Sequence, residues 1–272
     1  MGDAGEAASL RVGYFLMAPL VMERPDGTAV GAAVSMFREI AGDMAVDTIV
    51  LNGYPLKRLL HSLREGALDA AIALGKTPER AEIFAYPDQP FFRMRSTLVV
   101  RADHPLTSVR GPAELRGLQI AVFEGGFLSP LLRRSEWERA PLIDSDVIAR
   151  ALAMVDAGRV DAFYHPERVS MEYQMHRKKW GHRLRLLPLP EPPTGLYTVF
   201  SREAAPRHLE RYEAALRGRW RPDWVETHLR RALREGGGAG TPGPSVPNLD
   251  ERAPAAAPVS STPPDPSSKE RP

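Results

Sequence analysis

The chain has 272 residues, 43% hydrophobic and 26% charged, with a formal net charge of +2. That is material for one large or two modest folded units, and the near-balanced charge gives no case for a nucleic-acid or membrane-surface partner. Cys is absent, which excludes disulfides and thiolate metal sites, and no run approaches the roughly 20 apolar residues that span a bilayer.

The apolar run 12–22 is short and broken by Pro19. Residues 1–9 before it are small and acidic where a signal peptide needs a basic start. Residues 10–15 therefore read as the first strand, and an exported native protein is expected to have shed its signal. Val34, Phe37, Ile40 and Ala41 place a helix within 31–44, and 48–51 is a short strand. Pro55 sits where a first helical residue belongs, and Leu56, Leu59, Leu60 and Leu63 follow as a buried stripe that Gly66 ends. Strands are expected at 68–74 and 96–101.

A second unit opens near Leu115-Arg116-Gly117 with a strand over 118–123 that runs into Gly125-Gly126. Ser145 is a fitting N-cap, followed by Asp146 at the positive end of a helix whose stripe is Ile148, Ala151, Leu152 and Val155. Gly158 ends it, and 160–164 is a strand. A helix over 168–180, strands at 184–187 and 196–201, and a helix carrying Leu209, Tyr212, Ala215 and Leu216 complete the body. From about 236 to 272 the chain is rich in Pro, Ser and Ala, a composition that reads as a disordered tail.

One phrase occurs twice. Leu63-Arg64-Glu65-Gly66-Ala67-Leu68-Asp69-Ala70 recurs in outline as Val155-Asp156-Ala157-Gly158-Arg159-Val160-Asp161-Ala162. Each copy ends a helix, stops it with Gly and enters a strand through an apolar-Asp-Ala step. Such strand–helix alternation argues for two α/β units with mainly parallel sheets, which bind at the carboxyl ends of their strands. That rule selects the loops after Phe15, Leu51, Leu74, Phe123 and Tyr164.

The order of these elements, with Thr77-Pro78-Glu79-Arg80, then Phe84-Ala85-Tyr86-Pro87, then Pro90-Phe91-Phe92, resembles the family 3 bacterial extracellular solute-binding proteins. These are polar-amino-acid receptors of ABC importers. The resemblance covers about 10–220. It implies a type II periplasmic-binding-protein-like α/β fold: lobe 1 at 10–100 plus 194–235, lobe 2 at 101–193, with crossings near 100–103 and 189–193. It implies an extracytoplasmic or periplasmic monomer that closes on a small polar, carboxylate-bearing, amino-acid-like ligand, with a membrane permease as partner and no cofactor.

Arg80 is the first binding candidate: the resemblance implies that it meets the ligand's carboxylate, whose geometry the paired donors of a guanidinium match, with a solvated loop Arg beside Glu79 or Glu82 as its alternative role. Thr77 and Gly75 share its loop, with turn chemistry as their alternative role. Gly125 and Gly126 form a turn whose N–H groups suit an anion, or simply a tight strand–helix connection. Tyr14 and Tyr54 stand where related proteins place ligand-stacking aromatics. The pattern breaks at His165-Pro166, where an ammonium-binding Asp is expected, and at Ser35, which replaces another Asp. Glu124 is the substitute acid nearest at hand. A dehydratase using Glu124 and His165 as acid and base, or a sensory ligand-binding module, remain alternatives. No His-x-x-x-His, Gly-x-Ser-x-Gly or phosphate loop is present.

Overall fold

The computed structural model describes residues 9–237, apart from 45, 47 and 144–146. The expected cap Ser145-Asp146 and the tail from 238 onward lie outside the described residues.

In chain order the elements are β1 (Ser9–Tyr14), β2 (Met22–Glu23), β3 (Ala29–Val30), α1 (Ala32–Asp43), β4 (Thr48–Gly53), α2 (Leu56–Arg64), β5 (Ala70–Gly75) and α3 (Pro78–Ile83). Next come β6 (Phe92–Met94), β7 (Thr97–Arg101), a 3-10 turn at Pro112–Leu115, β8 (Gln119–Phe123), α4 (Pro130–Arg134) and β9 (Glu138–Leu142). The chain then forms α5 (Val147–Asp156), β10 (Ala162–His165), α6 (Arg168–Arg177), β11 (Leu184–Pro188), β12 (Thr194–Phe200), α7 (Ala205–Arg219) and α8 (Pro222–Gly237). No helix among the described residues is long and apolar enough to cross a membrane.

Two five-stranded sheets result, ordered β4-β1-β5-β12-β6 and β11-β7-β10-β8-β9. Both are mixed rather than mainly parallel. In the first, β1 runs parallel to β4 and β5, and β12 lies antiparallel to β5 and β6. In the second, β8 is parallel to β9 and β10, and β7 is antiparallel to β10 and β11. The antiparallel strands β7 and β12 each arrive directly from the other sheet, without a helical crossover to set a parallel direction.

Strand β7 corrects the sequence reading. That reading places residues 97–100 in the first lobe, yet 97–101 pair wholly within the second sheet. The chain therefore passes between sheets at 95–96, ahead of the expected 100–103, and returns at 189–193. The two passages touch, because Leu189 N donates to Ser96 O at 3.0 Å. Pro55 is also displaced by one position: it caps α2, which starts at Leu56.

The duplicated phrase has one physical role in both places. Gly66 and Gly158 take φ of +70° and +66°, the left-handed conformation that lets a helix end and turn back. The Asp that follows ties the incoming strand to its parallel neighbour, β1 in the first sheet and β8 in the second. Asp69 N donates to Arg11 O, while Arg11 N donates to the Asp69 carboxylate, both at 2.8 Å. Asp161 N donates to Gln119 O at 2.9 Å, and Gln119 N returns a bond to Asp161 at 2.8 Å.

Each sheet carries an apolar cluster on either face. The largest lies between the first sheet and α1, α7 and α8, and it takes in Val169 and Tyr173 of α6 from beside the second sheet. Helix α8 has no counterpart in the sequence reading, although Val225, Leu229, Ala232 and Leu233 form a buried stripe at helical spacing.

Candidate functional site

The carboxyl ends of β5, β8 and β10 converge between the sheets, together with the chain just after β1. They enclose a small cavity of about 40 Å³. Arg80 is the charged side chain on its wall, and His165 and Pro166 lie on the same wall.

Local chemistry fixes Arg80. Pro78 opens α3 with the φ a first helical turn needs, and Thr77 Oγ1 caps the helix by accepting from Arg80 N at 3.2 Å. The side chain folds back into the cleft and is only 8% exposed. Its Nη1 donates to Gly75 O at 3.0 Å, and its Nη2 crosses to Gly125 O at 2.9 Å. Tyr86 Oη also donates to Gly75 O at 3.0 Å. No carboxylate hydrogen-bonds Arg80 among the described residues. Its chain neighbour Glu79 instead meets Arg133 Nη1 at 3.0 Å, and that contact holds the Glu79 carboxyl down to about 2. Burial pushes the Arg80 guanidinium below its ordinary pKa, the expected response of a desolvated cation.

The neighbours of Arg80 are engaged in local structure, as the alternative readings allow. Thr77 is a helix cap, and Gly75 offers a carbonyl to Arg80. The Gly125-Gly126 turn does not offer both of its N–H groups to an anion. Gly126 N instead donates back to Phe123 O at 3.1 Å, while Gly125, at φ +73°, turns its carbonyl toward Arg80. The turn is an acceptor facing a cation. A Cβ on Gly126 would lie 2.7 Å from Phe123 Cβ, so the tight connection itself requires glycine.

Tyr14 and Tyr54 do not line the cavity. Tyr14 is buried in the first cluster and donates to Glu23 Oε1 at 2.8 Å, because β1 points it inward; Phe15, one residue on, takes the cleft position. Tyr54 lies under the Arg58 guanidinium at 5.9 Å. Glu124 is not on the cavity wall and lies 3.5 Å from Lys57 Nζ.

His165 is buried against Phe123 and Phe163, with ring centroids at 5.6 and 5.9 Å. Its Nδ1 lies 2.7 Å from Glu167 O and 3.1 Å from Glu167 N, and burial lowers its pKa to about 4, so it is neutral near pH 7. With Glu124 paired to Lys57 and His165 turned to the backbone, the acid–base pair considered for a dehydratase is not assembled. No group of three or more potential metal-ligating side chains occurs among the described residues.

Sequence reasoning missed two features. Phe127 follows the Gly-Gly turn and crosses from the second sheet to pack on the first cluster, its ring 3.1 Å from where a Gly75 Cβ would stand. Its place after a strand-tip turn was the available signal. Glu167, 1% exposed, caps α6 by accepting from Val169 N and Ser170 N at 2.6 and 2.7 Å, and burial raises its carboxyl to about 7.

A family model described as bacterial extracellular solute-binding proteins, family 3, matches residues 10–226. No curated protein matches the chain. Among solved structures, an ancestral arginine-binding protein bound to arginine is 17% identical, with TM-score 0.68, covering 83% of this chain and 98% of that one. The amino acid ABC transporter substrate-binding protein AbpA of Streptococcus pneumoniae, bound to L-arginine, is 18% identical with TM-score 0.68, covering 84% and 95%. The GluR0 ligand-binding core of Nostoc punctiforme, in complex with L-glutamate, is 16% identical with TM-score 0.67, covering 82% and 99%. At these identities the likeness shows the fold, the type II periplasmic-binding-protein arrangement of two α/β lobes.

Proposed function

The chain belongs to the bacterial extracellular solute-binding proteins, family 3, and on that premise we propose that it captures a small carboxylate-bearing solute between its lobes. The observation that carries this reading is Arg80, a buried cation in the cleft without a carboxylate partner among the described residues. A desolvated charge is costly unless it is paired, and a guanidinium has donors to spare beyond the two that meet carbonyls. A carboxylate entering the cleft completes that pairing. The arginine and L-glutamate of the similar structures each carry such a group, which supports the class without naming the solute.

Closure works by population shift. A solute that touches both lobes binds the closed arrangement better and draws the lobes together about the passages at 95–96 and 189–193. The first lobe is then 10–94 with 194–237, and the second 97–188. The protein acts outside the cytoplasm as a monomer and hands its solute to a membrane permease.

The test is a thermal-shift screen with amino acids, monocarboxylates and dicarboxylates. A solute at one hundred times its dissociation constant adds about 2.7 kcal/mol of stability. Binders are expected among the acids, and their shift is lost in Arg80→Ala. Stabilisation by sugars or cations alone, or an acid shift that survives Arg80→Ala, overturns the reading.

A further inference from the structure

The wall around Arg80 narrows the class of solute. We propose that the preferred solute is a carboxylate with an apolar body and no ammonium group, an inference that rests on Arg80 receiving a carboxylate. Among the described residues the cavity wall holds no carboxylate. Glu79, Glu124 and Glu167, each next in chain to a wall residue, are engaged elsewhere: Glu79 with Arg133, Glu124 with Lys57, and Glu167 in accepting from Val169 N and Ser170 N as the cap of α6. His165 is buried and contributes no charge near pH 7.

The rest of the wall is oily. Phe15, Met94, Phe123, Phe127 and Leu196 are among its bulky members. The Tyr164 hydroxyl, also on the wall, is occupied: it accepts from Ser129 N at 3.0 Å and lies 3.2 Å from Ser96 Oγ. An α-ammonium placed beside Arg80 would be stripped of water with no countercharge, and it would stand near a like charge. An apolar body placed there meets aromatic and thioether surface that favours it. The cavity of about 40 Å³ is too small for such a body, so entry requires the lobes to part and Phe127 to yield its place on Gly75.

Matched pairs of acids decide the matter. The full chain is titrated by calorimetry with 3-phenylpropanoate and L-phenylalanine, and with 4-methylpentanoate and L-leucine. Each desamino acid is expected to bind at least tenfold more tightly than its amino partner, with both weakened at least tenfold in Arg80→Met. In Pro166→Asp, which sets a carboxylate on the cavity wall, the preference is expected to swing at least tenfold toward the amino acid. Amino acids binding as tightly as their partners, through Arg80, would overturn this inference and leave the carboxylate reading standing. Preference unmoved by Pro166→Asp also counts against it. Binding of neither member of any pair overturns this inference, and the acid screen then decides the broader reading separately.

Discussion

Gly75→Ala is expected to push the ligand-free lobes apart. The backbone at Gly75 is not in the left-handed region, so an added methyl is resisted only by its neighbours. Its Cβ would stand 3.0 Å from Met94 Cε and 3.1 and 3.2 Å from Phe127 Cδ2 and Cγ, where ordinary contact begins at 3.4 Å. Met94 offers a terminal methyl that can swing aside. Phe127 is anchored beyond β8 on the other sheet, so the remaining overlap is relieved by moving one lobe relative to the other. Overpacking of this size costs about 1–3 kcal/mol, which lowers the closed population roughly 5- to 150-fold. The chain has no native Cys, so spin labels at Arg64→Cys and Arg159→Cys, both exposed, report the lobe separation. The distance distribution should lengthen in Gly75→Ala and return when Phe127→Ala is added. An unchanged distribution in the single variant, or no rescue in the double, would refute the assignment of Phe127 as the contact across the cleft.

The buried pair beside the cleft predicts opposing pH slopes. His165 falls from 6.5 to about 4 in the folded chain, so its stabilising effect is present above pH 6.5 and is lost as pH falls toward 4. Glu167 rises from 4.5 to about 7, so its effect is present below pH 4.5 and is lost as pH rises toward 7. Each loss is about 3 kcal/mol, and between pH 4.5 and 6.5 they offset one another. Urea unfolding across pH should show His165→Gln losing stability as pH rises and Glu167→Gln losing it as pH falls; parallel curves would refute the pairing. Asp69→Ala should destabilise by about 3 kcal/mol and Asp161→Ala by about 1, because only Asp69 is both buried and bonded to a guanidinium, Arg11 at 2.8 Å. Equal losses in chemical denaturation would contradict that ranking.

Much of this molecule is legible because local signals agree. Gly66 and Gly158 mark two helix ends, and the Asp after each stands out as a repeat even without its hydrogen bonds to Arg11 and Gln119. Arg80 can be placed because Thr77-Pro78 announces a helix start at a strand tip. Three things resist sequence reading because each depends on three-dimensional geometry that residue type does not carry. Strand β7 looks like any Thr- and Val-rich strand, and only its pairing with β10 and β11 assigns it to the second sheet. Tyr14 and Phe15 are adjacent aromatics, and the pleat of β1 decides which is core and which faces the cleft. The Gly125-Gly126 turn has the composition of an anion nest, but its N–H is spent on Phe123 and its carbonyl meets Arg80.

The central claim is that Arg80 receives a carboxylate in the cleft, and one titration tests it. The tightest-binding acid of the screen is titrated into the native chain, Arg80→Lys and Arg80→Met, with unfolding midpoints recorded to confirm that all three are folded. Hydrogen bonds to a charged group are worth about 1.5–3 kcal/mol, so Arg80→Met should bind roughly 10- to 150-fold more weakly, with Arg80→Lys between the two. Equal affinity in the folded Arg80→Met variant would contradict the account.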